Sequence, residues 1–247
     1  KELGLKEENI NRLEGQLSEI VSTIIPQDGK PPKEKLQELL TFYNSGQYYQ
    51  AEQLATDLTE NFPNHPFPWK ALGAVLNKSG RVLEALNINQ KAIKFFPQDA
   101  ELHSNLGICF RELGELRKAE AAYRTALSIK FDYSEAYNNL SNVLQDLEKI
   151  EEALINSRRA IIIRPQFTEA YISLGVVLHN WGDWNRSEAS HQKAIKLNPN
   201  FFSAYYNFGV AMEETGNFNQ SLKYFRKAIQ ISLRLTDTNI SGVTFVR

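Results

Sequence analysis

The chain has 247 residues, a formal net charge of −1 and a hydrophobic fraction of 42%, a composition typical of a folded protein rather than a disordered one. No apolar run approaches the ~18 residues that a membrane span needs. The near-neutral charge gives no support to nucleic-acid binding, because nucleic-acid-binding domains are usually strongly basic. The single cysteine, Cys109, cannot form an internal disulfide, so we expect a reducing, cytoplasmic location.

The N-terminal segment, residues 1–31, combines a heptad-like pattern with a proline-containing linker. Its aliphatic residues alternate at spacings of three and four: Ile10, Leu13, Leu17, Ile20 and Ile24. This pattern predicts a helix with one apolar stripe. Because the stripe is short for an isolated coiled coil, we expect it to dock on the first repeat or on another copy of the chain.

Residues 32–235 repeat with a period of 34, in six units that begin at residues 32, 66, 100, 134, 168 and 202. One set of equivalent positions holds Gly46, Gly80, Gly114, Glu148, Gly182 and Gly216. A second holds Ala51, Ala85, Ala119, Ala153, Ser187 and Ser221, and a third holds Leu58, Ala92, Ala126, Ala160, Ala194 and Ala228. Four units also end in a proline: Pro63, Pro97, Pro165 and Pro199.

This period predicts a helix, a turn at the glycine position and a second helix in every unit. Glycine favours the left-handed backbone that ends the first helix, and proline blocks continuation of the second. The alanine and serine positions let paired helices approach closely. One hairpin cannot bury its own apolar face, so the units must stack into a solenoid.

The spacing and residue types resemble those of tetratricopeptide repeat (TPR) proteins. The family pattern is matched in the second unit by Trp69, Leu72, Gly73, Leu76, Ala85, Ala92 and Pro97, and in the third by Leu106, Gly107, Phe110, Ala119, Tyr123 and Ala126. The resemblance implies an all-α, right-handed superhelical solenoid of six helix-turn-helix units. It also implies a protein or peptide ligand held in a concave groove.

Asparagines recur on the first-helix face that is opposite the predicted core. Asn105, Asn139 and Asn207 are sixth in their units and Asn142 is ninth, which puts them opposite the core at about 100° per residue. The resemblance implies that this face lines the concave groove. Amide side chains offer donors and an acceptor to a peptide backbone. The arrangement is similar to the asparagine ladder in the TPR region of O-linked N-acetylglucosamine transferases. The alternative is that asparagine decorates a solvated face and recurs because the repeats were duplicated.

The predicted peptide-binding residues extend this set with neighbouring polar side chains. They are Asn105, Asn138, Asn139, Asn142, Asn207, Lys70, Arg111 and His179. The four histidines occupy unrelated positions in their units, so they predict no metal site. No phosphate loop or nucleophile elbow is present in the sequence. We therefore expect a protein without catalytic residues or cofactors.

The C-terminal tail, residues 236–247, is predicted to be irregular and β-like at Val243–Val246. The flank of the sixth unit around Phe225, Ile229 and Leu233 then lacks a following repeat. We expect at least one of the two ends to be shared between chains, which gives a weak homodimer.

Three functions fit the sequence. The first is a non-enzymatic scaffold that binds an extended peptide in its groove. The second is a substrate-presenting arm of a larger transferase, because similar bacterial TPR stretches, including ones like "FPNHPFPWKALGAV", precede transferase domains. Since the only methionine is Met212, we expect the chain to be a piece of a longer or processed product. The third is a structural scaffold assembled through the N-terminal heptads.

Overall fold

The computed structural model describes the backbone of residues 29–241 and the side chains of residues 29–234. Within that range there are twelve helices and no strand. They are α1 (Lys33–Asn44), α2 (Tyr48–Asn61), α3 (Pro66–Lys78), α4 (Val82–Phe95), α5 (Ala100–Glu112), α6 (Leu116–Ile129), α7 (Ser134–Asp146), α8 (Ile150–Ile163), α9 (Thr168–Asn180), α10 (Trp184–Leu197), α11 (Phe202–Glu214) and α12 (Phe218–Ser241). The all-α prediction is confirmed for these residues. The heptad-like stretch and Val243–Val246 lie outside them.

The chain forms two compact units, Lys1–Leu113 and Gly114–Arg247, here called unit 1 and unit 2. In unit 1, α1 packs on α2 and α3 on α4, and the first helices α1, α3 and α5 are neighbours. In unit 2 the same arrangement joins α7 to α8, α9 to α10 and α11 to α12, with α7, α9 and α11 side by side. Each unit therefore places consecutive first helices next to one another.

The predicted turns have the backbone conformation that their glycines favour. Gly46, Gly80, Gly114, Gly182 and Gly216 all have φ between 74° and 83°. After α3, the N–H of Gly80 donates to the carbonyl of Asn77 and the N–H of Arg81 to the carbonyl of Leu76, as in a Schellman motif. Glu148 adopts the same conformation with φ 60°, although it carries a side chain.

Small residues form the contacts between the helices of a hairpin. The alanines at the second and third sets of equivalent positions are buried. In unit 2, the Ser141 hydroxyl on α7 donates to the Ala153 carbonyl on α8 over 2.8 Å. The Ser187 hydroxyl on α10 likewise donates to the Gly175 carbonyl on α9 over 2.7 Å. These bonds need the close helix approach that the sequence predicts.

The end of the chain differs from the prediction. Instead of becoming irregular at residue 236, α12 continues to Ser241. Leu233 occupies the position at which four other repeats carry a proline, so no proline ring blocks the next helical turn. The absence of proline therefore lengthens this helix beyond the predicted start of the tail.

Candidate functional site

Four polar side chains in unit 2 lie on the neighbouring first helices α7, α9 and α11. They are Asn139, Asn142, Ser173 and Asn207, and we call them the amide face. Asn139 and Asn142 are three residues apart and so share one side of α7. Because α9 packs against both α7 and α11, the helices that carry the amide face are consecutive.

Asn142 is held in place by the neighbouring repeat. Its Oδ1 accepts a hydrogen bond of 2.8 Å from the Ser173 hydroxyl on α9 and a longer one of 3.5 Å from Gln145. The Nδ2 group of Asn142 stays available as a donor. Ser173 interrupts the asparagine series in the sequence, yet in the structure it orients a member of that series.

Asn139 is the member of the amide face whose donor and acceptor groups are both available. It is half-buried, and within the described part of the chain its side chain has no hydrogen-bond partner. Asn207 is also half-buried, and its Nδ2 donates to the carbonyl of Ser203 over 2.8 Å. That bond uses the donor group of Asn207 and leaves its Oδ1 as an acceptor.

Asn138 does not belong with these accessible amides. It is 6% exposed, so its side chain lies among packed groups rather than at the surface. Its Oδ1 is buried without a partner among the described residues. Proximity in sequence to Asn139 suggested a shared role, but neighbouring residues of a helix point about 100° apart.

Asn105 is the predicted binding residue that lies on α5 in unit 1. It is half-buried and lines a pocket of about 210 Å³ together with Asn77 and Asn89. No hydrogen bond of the Asn105 side chain occurs in the described residues. Its donor and acceptor groups are therefore both available to a ligand.

Lys70, also in unit 1, is engaged with acidic residues at the start of α5. Its Nζ lies 3.2 Å from Asp99 and 2.7 Å from Glu101. Burial acts to lower the pKa of Lys70, but the hydrogen bond that Lys70 donates to Glu101 and the charge of Asp99 raise that pKa above its ordinary value. Lys70 thus joins two repeats before any ligand arrives.

In unit 2, acidic side chains lie against the candidate His179 and against Arg164. His179 Nε2 lies 2.5 Å from the Glu214 carboxylate, and Arg164 lies 2.6 Å from Glu135. Burial acts to raise the pKa of Glu135, yet its own backbone N–H, the Ser134 hydroxyl and Arg164 hold that pKa below its ordinary range. The period of the sequence does not show these pairs because they depend on side-chain rotamers.

Arg111, the remaining predicted residue, is exposed in the last turn of α5. Among the described residues, no group of three or more histidine, cysteine, aspartate or glutamate side chains is placed to hold a metal. No described helix combines the length and apolar character that a membrane crossing requires. The site therefore consists of amides, and its candidates Lys70 and His179 lie against acidic residues of the following repeat.

Comparison of sequences identifies one family. Tetratricopeptide repeat profiles match residues 78–135, 134–164, 168–201 and 192–223, which together make up more than half of the chain. No curated protein sequence matches it significantly. The similarity to stretches that precede transferase domains stays a prediction.

Solved structures with the same fold include YrrB, described as a TPR protein with an unusual peptide-binding site. It is 23% identical with a TM-score of 0.52, over 72% of this chain and 91% of that one. A thermophilic TPR protein of Thermus thermophilus is 22% identical with a TM-score of 0.64, over 72% and 99% of the two chains. A chain of the APC/C hetero-tetramer Cut9–Hcn1 is 20% identical with a TM-score of 0.72, over 87% and 42%. This chain belongs to the tetratricopeptide repeat family, whose members generally mediate protein–protein interactions.

Proposed function

We propose that the chain binds an extended segment of a partner protein along the amide face of unit 2. Asn105 offers the same contacts in unit 1. The observation that carries the proposal is the side chain of Asn139, which is half-buried and free of hydrogen bonds within the described residues. Because the Asn139 amide is partly accessible, a peptide backbone can replace the water that hydrogen-bonds to it.

The amide face offers both kinds of hydrogen-bonding group. Asn139 has a donor and an acceptor, Asn142 keeps its Nδ2 donor, and Asn207 keeps its Oδ1 acceptor. An extended peptide presents N–H and C=O groups along its whole length. Contacts of this type recognise the backbone of the ligand and tolerate many side chains, which suits a general interaction module.

The same face would serve the alternative function, a substrate-presenting arm of a larger transferase. A scaffold assembled through the N-terminal heptads would not need it. Both alternatives remain predictions, and the interaction module without catalytic residues is the function that the free amides support best.

A displayed library of random twelve-residue peptides tests the proposal. After selection on the purified chain, the affinity of the best peptide is measured by calorimetry for Asn139→Ala and for Asn139→Ala with Asn207→Ala. Each lost amide should weaken binding about 3- to 10-fold, because one net hydrogen bond contributes about 0.5–1.5 kcal/mol. Asn185→Ala is the matched control, since Asn185 is an exposed amide on the second helix α10.

Backbone recognition is tested with the peptide itself. Methylation of single backbone nitrogens should weaken binding more than replacement of the corresponding side chains by alanine. If side-chain replacement is more damaging at every position, the amides do not read the backbone. If Asn139→Ala binds as tightly as Asn185→Ala, the proposal is wrong.

A further inference from the structure

A small pocket with several polar lining residues lies within unit 1, between α3, α4 and α5. Its volume is about 210 Å³. The lining residues that determine its chemistry are Gly73, Asn77, Lys78, Asn89, Asn105 and Glu112. Several waters of ~30 Å³ each would fit in such a volume, and so would the side chain of one glutamine.

The pocket exists because two neighbouring positions carry small residues. Asn89 occupies the position that holds Tyr123 in the third repeat and Phe225 in the sixth repeat. Opposite it stands Gly73, where a Cβ atom would lie 2.7 Å from Asn89 Oδ1. An amide replaces an aromatic ring here, so the space that a ring would fill is left open.

At Asn89 the wall of the pocket carries an unmatched acceptor. Asn89 is 1% exposed. Its Nδ2 donates to the Ala85 carbonyl over 2.9 Å and contacts the Cys109 sulfur at 3.7 Å. Its Oδ1 has no partner among the described residues. A buried acceptor without a donor is unfavourable, and a ligand with an N–H group would satisfy it.

The other polar groups of the pocket favour a neutral ligand. Lys78 and Glu112 are exposed, whereas the buried lining residues Gly73, Asn89 and Cys109 carry no charge. Glu112 also accepts a hydrogen bond of 2.7 Å from Asn77. Burial of a charged ligand group without a counter-ion is far less favourable than burial of a neutral amide.

We propose that this pocket binds a primary carboxamide, namely the side chain of a glutamine or asparagine in a bound segment. The carboxamide N–H donates to Asn89 Oδ1, and its carbonyl oxygen accepts from the free amide of Asn105. Ala74 and Ile108 in the lining contact the aliphatic stem. The peptide source of the carboxamide rests on the proposed function, whereas the carboxamide chemistry does not.

The experiment titrates the 15N-labelled full chain with N-acetyl-glutamine methylamide and follows the side-chain amide resonances of Asn89 and Asn105. Saturable shifts of both resonances are expected. N-acetyl-norleucine methylamide, which has a similar stem without the amide, and the capped lysine and glutamate analogues should give none. Equal shifts with the norleucine probe, or no shift with any probe, would overturn the proposal, the second result leaving a water-filled pocket only.

Two variants test whether binding of the glutamine probe depends on Asn89. Asn89→Leu keeps the approximate side-chain volume but removes the acceptor. It should weaken the affinity for the glutamine probe by about tenfold or more. Asn89→Tyr introduces the residue of the next repeat and should fill the pocket. Protection of Cys109, which lines the pocket, from a small thiol reagent by the glutamine probe gives a second measurement on the unaltered chain.

Further arms separate this proposal from the proposed function. Asn139→Ala should leave the carboxamide response unchanged while it weakens the selected peptide, so the two ideas fail independently. Free L-glutamine distinguishes the sources of the carboxamide. Tighter binding of free glutamine than of the capped residue would overturn the peptide occupant, and weaker binding supports it.

Discussion

The Ser173 hydroxyl on α9 donates a hydrogen bond of 2.8 Å to Asn142 Oδ1 on α7. This bond connects two consecutive repeats of unit 2 across the amide face. It also fixes which side of the Asn142 amide stays free, since the bonded Oδ1 leaves the Nδ2 group for a ligand. Ser173 therefore positions Asn142 and is not merely a gap in the asparagine series.

Ser173→Ala should loosen this arrangement. The change removes one largely buried hydroxyl and its bond, so the free energy of unfolding should fall by about 1 kcal/mol. Affinity for the selected peptide should fall a few-fold, because the Asn142 amide becomes free to rotate. Urea unfolding and calorimetry measure the two effects. Ser128→Ala is the control, because Ser128 is exposed and bonds only within its own helix α6. Equal peptide affinity for both variants would contradict the positioning role.

Much of the fold follows from the repeat period, and particular residues show where that inference ends. Gly80 and Gly182 have the positive φ that a glycine at the turn predicts, because the backbone requirement recurs in every repeat. Burial of Asn138 and the Lys70 ion pairs with Asp99 and Glu101 could not be predicted. They depend on the distance and rotation between particular helices, which a period does not specify.

His191 should make the stability of unit 2 dependent on pH. This residue is fully buried, its ring stacks on Phe208 at 5.3 Å, and both ring nitrogens lack partners among the described residues. Burial, with a smaller contribution from His179, lowers the pKa of His191 to about 4. The unfolded chain binds this proton near pH 6.5. The contribution of His191 to the free energy of unfolding is therefore constant above that pH and falls as the pH drops from 6.5 to 4. The loss from this group is about 3 kcal/mol.

His191→Phe isolates that effect from the titration of carboxylates. Phe225 occupies the equivalent place in the next repeat, against Gly209, so a phenylalanine at residue 191 has a precedent opposite Gly175. Urea unfolding between pH 7 and 4 should show a smaller loss of stability in the variant. The same slope in both proteins would mean that His191 does not titrate as argued.

Glu148→Gly should stabilise the chain. Glu148 is the one non-glycine residue with positive φ in the described part of the chain, and the left-handed conformation costs a residue with a Cβ about 1–2 kcal/mol. The greater freedom of glycine in the unfolded state offsets part of this gain. We expect the free energy of unfolding to rise by about 0.5–1 kcal/mol. Gly182→Ala, at an equivalent turn with φ 83°, should lower it. A loss of stability in Glu148→Gly would show that the side chain makes a contact that outweighs the strain.

The exposed face of α12 predicts self-association. Leu222, Ile229 and Leu233 are 50%, 58% and 59% exposed, and all three line a depression of about 770 Å³ together with Tyr205. Phe225 was predicted to lie in the same exposed flank. It packs against Gly209 instead. Three large aliphatic side chains on one helix favour burial against an apolar partner, and a second copy of the chain presents the same face.

Leu222→Glu with Ile229→Glu should therefore convert a weak homodimer into a monomer, because a dimer would have to bury two carboxylates without partners. Sedimentation velocity over a hundredfold range of concentration measures the change. Ile162→Glu is the matched control, since Ile162 on α8 is 69% exposed and lies outside that depression. A strict monomer before substitution at every concentration would exclude the dimer. A dimer that persists in the double variant would place its interface elsewhere, and removal of residues 1–28 would then test the N-terminal heptads.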